Sequence, residues 1–181
     1  MTGILRFVGL LNAAIWLGGT VFFTLVAGQV PFAPETKALL ARLGPESGPY
    51  MGGMIAQISI AHFFTFQMVC AVIALLHLGA EWLYVERRGR RFLFGLLAGL
   101  LLVTLAGDFW LRPKMNELFR IKYARNYPAE QREAAARSFG LWHGVSMSLN
   151  LAVLGALVIY LWHMGRPPEP ARFVRAPQFR G

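Results

Sequence analysis

The sequence has few charged residues for its length. Only 15% of its 181 residues are Asp, Glu, Lys or Arg, whereas soluble domains carry roughly 25%. Hydrophobic residues make up 56% of the chain, and the charges are clustered, which leaves long stretches almost without them. This composition excludes an ordinary soluble domain and is typical of an integral membrane protein.

Cysteine is almost absent as well. The only one, Cys70, lies in an apolar run, so an intramolecular disulfide and the paired cysteines of a structural zinc site are both excluded. The chain also contains no phosphate-binding loop, nucleophile elbow, dinucleotide-binding fingerprint or HExxH motif. These absences favour a protein that is not an enzyme.

Long apolar runs dominate what is present. Four of them can cross ~30 Å of hydrocarbon, which takes ~20 helical residues, and they cover residues 5–29, 55–84, 92–111 and 139–163. The first exceeds the ~7–15 apolar residues of a signal peptide, so it is predicted to be a retained span. The predicted fold is all-α, a polytopic membrane protein built as an antiparallel bundle of four transmembrane helices over residues 1–164.

The connections between the spans predict further helices and a tail. Glu35 to Leu43 are predicted to form a short interfacial helix within a loop rich in Pro and Gly. Pro128 is followed by acidic residues and suits a helix start. Helix four is therefore predicted to begin near residue 128 and to form a protruding helical hairpin with residues 114–125. Residues 165–181 are predicted to form an extended tail rich in Pro and Arg.

The net charge of +9 does not indicate a nucleic-acid partner, because the basic residues flank apolar runs instead of forming one patch. They are typical of anchors at an anionic lipid surface, so the lipid bilayer is the predicted partner. The compact basic turn at 85–91, VERRGRR, weighs most in the positive-inside rule. It predicts a protein of the bacterial inner membrane with both termini cytoplasmic.

Polar residues recur inside the apolar runs. In FGLWHGVSMSLN, residues 139–150, the side chains of His143, Ser146 and Asn150 share one helical face. A polar face is predicted to turn towards protein because lipid cannot satisfy it, and neighbouring glycines would allow close helix approach. The predicted interior seam comprises Asn12, Trp16, Gly18, Gly19, Gly140, Gly144, Ser146 and Asn150.

Three ionisable residues are predicted to lie at a similar depth of the bundle: His62 in helix two, Asp108 in helix three and His143 in helix four. An imidazole pair can ligate haem iron or, with a carboxylate, a transition metal. The same groups could instead serve only as hydrogen bonds between helices, worth about 0.6 kcal/mol each, or form a proton path. The cofactor therefore stays open between haem b, a transition metal and none.

Three stretches resemble a family of integral membrane proteins known as domain of unknown function 4149, or transmembrane-protein-205-like. They are IWLGGTVFFTLVAGQVPF, LRPKMNELFR and FGLWHGVSMSLN. The resemblance covers most of residues 1–163 and implies four spans but no reaction. The element Trp16 to Gly19 also resembles copper-resistance D-type proteins and HemJ-type oxidases, which place a His at the start of that helix where this chain has none.

Three functional hypotheses follow. The first is a non-catalytic accessory or structural role, as a subunit or partner of a larger membrane complex or as a homo-oligomer. The second is a haem- or metal-binding redox protein with His62 and His143 as ligands and Asp108 nearby. The third is a small permease.

Overall fold

The computed structural model describes residues 2–84 and 90–166, and these residues contain helices and turns but no strand. A π-helical turn, Phe23–Ala27, extends the first helix, and a second one, Gly107–Leu111, joins the fourth to the fifth. Short 3-10 turns cover Val30–Phe32 and Ala41–Leu43. The α-helices are α1 Thr2–Phe22, α2 Pro34–Leu40, α3 Ser47–Tyr84, α4 Arg90–Ala106, α5 Arg112–Tyr123 and α6 Ala129–Gly165.

Four helical stretches are long and apolar enough to cross a membrane. They begin in α1, α3, α4 and α6, and they form a ring in which α1 packs against α3 and α6 while α4 packs against the same two helices. Neighbouring helices run in opposite directions, since Arg6 near the start of α1 reaches Gly165 at the end of α6. The predicted all-α bundle of four spans is therefore confirmed.

Helix α3 begins earlier than the sequence predicts. The predicted span starts at residue 55, but the helix already starts at Ser47, in a segment whose Pro and Gly residues suggested a loop. Neighbouring chain approaches this helix so closely that a side chain larger than that of glycine would collide at Gly48 and be crowded at Gly52. A Cβ at Gly48 would lie 2.7 Å from the Leu40 carbonyl oxygen, and one at Gly52 would lie 3.3 Å from that of Pro31.

The helix of the third span continues past residue 111, where the predicted span ends. The chain continues through the second π-helical turn directly into α5. Pro113 lies in the first turn of α5, where its missing N–H is tolerated. The π-helical turn shifts the hydrogen-bond register just before the proline, so the helix passes it without a break.

The predicted hairpin is present. Helix α6 begins at Ala129 after the N-cap Pro128, with Glu130 in its first turn, and α5 packs along α6. Its tip is tied to the start of α3 by an ion pair of 2.8 Å between Arg125 and Glu46. The predicted interfacial helix also forms, as α2 and the 3-10 turn after it.

The apolar core lies in the half of the bundle that contains the start of α1 and the end of α6. Trp16, Leu157 and Tyr160 are buried at its centre. Arg6 Nη2 donates to the carbonyl oxygens of Gly165 and Arg166 at 3.3 and 3.0 Å. These bonds satisfy acceptors that the last turn of a helix leaves free.

The basic turn used to predict orientation lies mostly outside the described residues, and so does the predicted tail apart from Gly165 and Arg166. The cytoplasmic location of the termini stays a prediction.

Candidate functional site

A cavity of about 460 Å³ lies between the four spans, in the half of the bundle next to α2 and the hairpin. One face of α3 forms its longest wall, with lining residues every three or four positions over about 27 Å at 1.5 Å per residue. These residues are Pro49, Gly53, Ala56, Gln57, Ile60, Phe63, Phe64 and Gln67.

Helix α6 contributes a second wall. His143, Ser146 and Asn150, which the sequence groups on one face, all line the cavity. The His143 ring lies parallel to that of Phe139, with 6.2 Å between the ring centroids. Three of the polar residues in the apolar stretch FGLWHGVSMSLN thus face this space, whereas Ser148 does not.

Both π-helical turns border the cavity. Phe23 and Thr24 of the first turn and Gly107 and Leu111 of the second are lining residues. Such turns widen a helix locally and occur often at functional sites. Two of them on separate helices, bordering one cavity, favour a functional role for this space.

The cavity is layered. We call the end of the cavity towards the hairpin tip its outer end. An aromatic layer lies there, in which the Phe119 ring is against Gly53 and 5.9 Å from the Phe139 ring, measured between centroids. Gln57, Asn116 and His143 form a polar layer, each one helical turn away from the aromatic layer on its own helix and towards the middle of the bundle. Residues three or four positions apart on a helix lie one above the other, so these three side chains lie at one level.

Arg112 lies one turn beyond the polar layer. Its Nε is 2.7 Å from Oδ1 of Asp108, four residues earlier on the same helical stretch. Arg112 lines the cavity, whereas Asp108 does not. The carboxylate therefore holds the guanidinium from behind, and no described contact uses its two terminal nitrogens.

Lys122 lies on the outer side of the aromatic layer. Its Nζ is 5.1 Å from the ring centroid of Tyr123 and 5.9 Å from that of Phe139. Within the described chain it forms no ion pair. Cation–π contacts of this kind hold an ammonium group in place at an energy of about 0.5 to 1 kcal/mol where water reaches it.

The inner end of the cavity is formed by a hydrogen-bonded pair. Gln67 is almost completely buried, and its Oε1 accepts a hydrogen bond from Trp16 Nε1. Nearby, Asn150 Nδ2 donates to Thr24 Oγ1 at 2.8 Å. These bonds orient two amides at the cavity wall and join α1 to α3 and α6.

Two residues of the predicted seam lie behind the cavity wall. Asn12 and Trp16 are buried, and Asn12 Nδ2 donates to the Cys70 carbonyl oxygen at 3.1 Å. They do not line the cavity, but Trp16 supports it through Gln67.

His62 is placed away from the cavity. Its side chain is exposed, and its Nδ1 lies 2.9 Å from the carbonyl oxygen of Ile58 on its own helix. The described residues contain no group of three or more His, Cys, Asp or Glu that could hold a metal ion, and Asp108 is engaged by Arg112. A haem or metal centre ligated by both His62 and His143 stays a prediction that this arrangement does not support.

The predicted glycine contacts are only partly present. Gly19 lies against the Phe66 ring, as close helix approach requires. A Cβ at Gly18, Gly140 or Gly144 would meet nothing within 4 Å, because these positions face away from the other described helices. The prediction of close helix approach is wrong for these three within the described chain.

We expect Gly144→Ala to leave stability unchanged or to raise it by up to about 1 kcal/mol, because Ala is the better helix former and meets no neighbour. Gly19→Ala should instead lower it by about 1 kcal/mol or more, because its Cβ collides with Phe66. Unfolding in mixed detergent micelles compares the two variants. An equal loss in both would contradict the open environment of Gly144.

The sequence interpretation missed Gln57, Gln67, Arg112 and Lys122. The two glutamines carry a usable signal, since an uncharged amide within an apolar run must also turn towards protein. Arg112 and Lys122 were assigned to a polar connection, because a span was predicted to end before them. Only the uninterrupted passage from α4 to α5 brings Arg112 to the cavity.

Four apolar helices around a partly polar cavity define a polytopic helical membrane protein. Within that class, the chain belongs to the family described as Domain of unknown function (DUF4149), whose model matches residues 11–124. The match confirms the family predicted from the sequence and includes α5. No curated protein and no solved structure matches the chain.

Proposed function

We propose that the protein is a non-catalytic membrane protein that holds one amphipathic molecule of the bilayer in the cavity between its spans. The observation that carries this proposal is the cavity itself. Its volume of about 460 Å³ lies within the ~300–1,000 Å³ range of ligand sites, which are mostly apolar with a few converging polar groups.

The lining supports an amphipathic ligand over a purely apolar one. Most lining residues are phenylalanine, methionine or aliphatic, and the polar layer of Gln57, Asn116 and His143 lies among them. An amide inside an apolar site loses free energy unless a partner accepts its hydrogen bonds. A ligand with one polar end satisfies such groups and leaves its chain against the apolar wall.

The exposed lining residues supply a route from the bilayer. Phe32, Met147 and Leu149 line the cavity and are 48%, 41% and 39% exposed. All three are apolar, and two of them lie on α6. An acyl chain can enter there without leaving an apolar environment.

In this proposal the protein keeps the accessory role predicted from the sequence. It binds and presents a molecule to a membrane-protein partner or a second copy of itself, and no bond is made or broken. The haem, metal and permease hypotheses stay predictions, since no described contact favours one of them.

The test uses the full chain purified in mild detergent, with bound amphiphiles extracted and identified by mass spectrometry. We expect one class of amphiphile to be enriched over the membrane average and to be largely lost in Ser146→Phe, because the new ring fills the cavity. Ser148→Phe is the matched control, since Ser148 is exposed on the same helix and outside the lining.

Two results would contradict the proposal: a bound fraction with the composition of the bulk membrane, or equal retention in the two variants. The absorption spectrum of the same samples tests the haem hypothesis separately through the presence of a Soret band.

A further inference from the structure

The charged residues that line the cavity are all basic. Arg112 and Lys122 are lining residues, whereas no Asp or Glu is among them. Asp108 already pairs with Arg112 from outside the lining, whereas Lys122 forms no ion pair within the described chain. A cation without such a partner is unfavourable beside an apolar space unless an opposite charge approaches it. The lining therefore favours an anionic group over a neutral or cationic one.

We propose that the ligand is an amphiphile with an anionic headgroup, and that Arg112 binds this headgroup together with the polar layer. This inference rests on the proposed function and adds the chemistry of the polar end. The headgroup is a carboxylate or a phosphate, and the chain leaves sideways past Met147 and Leu149 into the bilayer.

Arg112 is prepared for this role by its partner. Asp108 Oδ1 lies 2.7 Å from Nε and is not part of the lining, so the carboxylate occupies the side of the guanidinium that faces away from the cavity. The two terminal nitrogens stay available, and a guanidinium edge matches two oxygens of a carboxylate or phosphate. Asp108 is thus a positioning residue.

The neighbouring residues complete a set of donors. Asn116 is four residues after Arg112 on α5, so the two side chains share a face, and Gln57 and His143 reach the same space from α3 and α6. Two amide groups, one imidazole and one guanidinium can donate to several oxygens of one headgroup. Lys122 is the other cation of the lining, and it adds to the positive potential of the cavity.

The experiment uses the full chain in phosphatidylcholine nanodiscs and a hexadecanoic acid probe with a diazirine on its chain. Labelled peptides are mapped, and capture is competed with unlabelled hexadecanoic acid, hexadecyl phosphate, hexadecanol and hexadecyltrimethylammonium. We expect capture on residues 139–153 and competition by the two anions. The alcohol and the cation should compete about tenfold less well, the factor expected for one charge-assisted hydrogen bond.

Variants separate headgroup binding from a structural role of Arg112. Arg112→Gln should lower anion capture about tenfold, while Arg112→Lys, which keeps the charge, should recover part of it. Asp108→Asn should lower anion capture less than Arg112→Gln and keep the preference for anions, because it loosens the position of the guanidinium but keeps the cation. Lys114→Gln is the control, since Lys114 lies on α5 outside the lining and pairs with Glu117.

The outcomes distinguish the two proposals. If hexadecanol competes as well as the acid, or if Asp108→Asn and Arg112→Gln lose anion capture equally, the anionic headgroup is wrong while the cavity remains a ligand site. If the acid probe does not label the cavity peptides, the anionic headgroup is wrong, and the amphiphiles extracted from wild type and Ser146→Phe decide the proposed function separately. A preference between carboxylate and phosphate supports the inference in either case and identifies the source of the ligand.

Discussion

Replacing Trp16 by alanine is expected to lower the free energy of unfolding by about 3 to 5 kcal/mol, the range for removing a large aromatic side chain from a packed core. Trp16 is fully buried, and its ring meets that of Tyr160 edge-on, with 6.3 Å between the centroids. Between membrane helices, stability comes from packing contacts and hydrogen bonds more than from exclusion of water. A void at Trp16 removes these contacts from two neighbouring helices at once.

The hydrogen bond to Gln67 can be separated from the packing. Trp16→Phe keeps most of the ring but removes the N–H donor, so we expect a loss of about 0.6 to 1.7 kcal/mol, the measured range for such bonds in membranes. Gln67→Leu and the double variant complete a cycle that isolates the pair. All variants are compared by titrating dodecyl maltoside micelles with sodium dodecyl sulfate and following helix content by circular dichroism.

Trp162→Ala serves as the control for tryptophan loss. Trp162 is on α6 but is 64% exposed, and its ring contacts only the guanidinium of Arg166, at 5.7 Å, among its described aromatic and cationic neighbours. We expect a loss of about 1 kcal/mol or less. If Trp16→Ala is no more destabilising than Trp162→Ala, the tightly packed centre around Trp16 is wrong.

The spans could be predicted because length and hydropathy alone determine them. A stretch of about 20 apolar residues has to form a helix in lipid, where no water satisfies its backbone. The start of α6 was equally readable, because Pro128 and Glu130 suit the first turn of a helix. These features depend on local chemistry and need no knowledge of neighbouring helices.

Two helix boundaries could not be predicted from local composition. The segment before residue 55 has the composition of a loop, yet it is helical since α5 and the chain around α2 pack onto its glycines. Arg112 and Pro113 suggested the end of a span, but a π-helical turn carries the helix past them. Packing overrides local propensity in the first case, and a shift of the hydrogen-bond register does so in the second.

The candidate site was predictable on α6 and not on α3. The face with His143, Ser146 and Asn150 follows from helical periodicity. Helix α3 is apolar nearly all round, so its polar residues alone indicate its orientation. His62 lies about 140° around the helix from Gln67 at 100° per residue, and the buried amide, not the histidine, marks the inward face. The predicted depth of His62 in the bundle matches that of His143, but its direction around the helix turns it away from the cavity.

The second large effect is expected at Gly53. Gly53→Leu should lower the free energy of unfolding by about 2 kcal/mol. The collision with Phe119 costs about 1 to 3 kcal/mol, towards the upper end for a side chain of this size, and the higher helix propensity of leucine returns about 0.8 kcal/mol. Phe119 cannot move aside easily, because Tyr50 and Tyr123 lie 5.6 and 4.9 Å from it, measured between ring centroids.

Gly95→Leu provides the matched control for this change. Gly95 is an exposed helical glycine of α4, where a Cβ meets nothing within 4 Å, so we expect its stability to stay the same or to rise by up to about 0.8 kcal/mol. A compensating substitution at Phe119 tests directly whether the collision with its ring causes the loss of stability. Gly53→Ala alone should be destabilising, and adding Phe119→Leu should restore part of the loss, since the smaller side chain gives the new methyl group room. If the double variant is less stable than the sum of the single variants, the close contact between α3 and α5 is not what makes glycine necessary at residue 53.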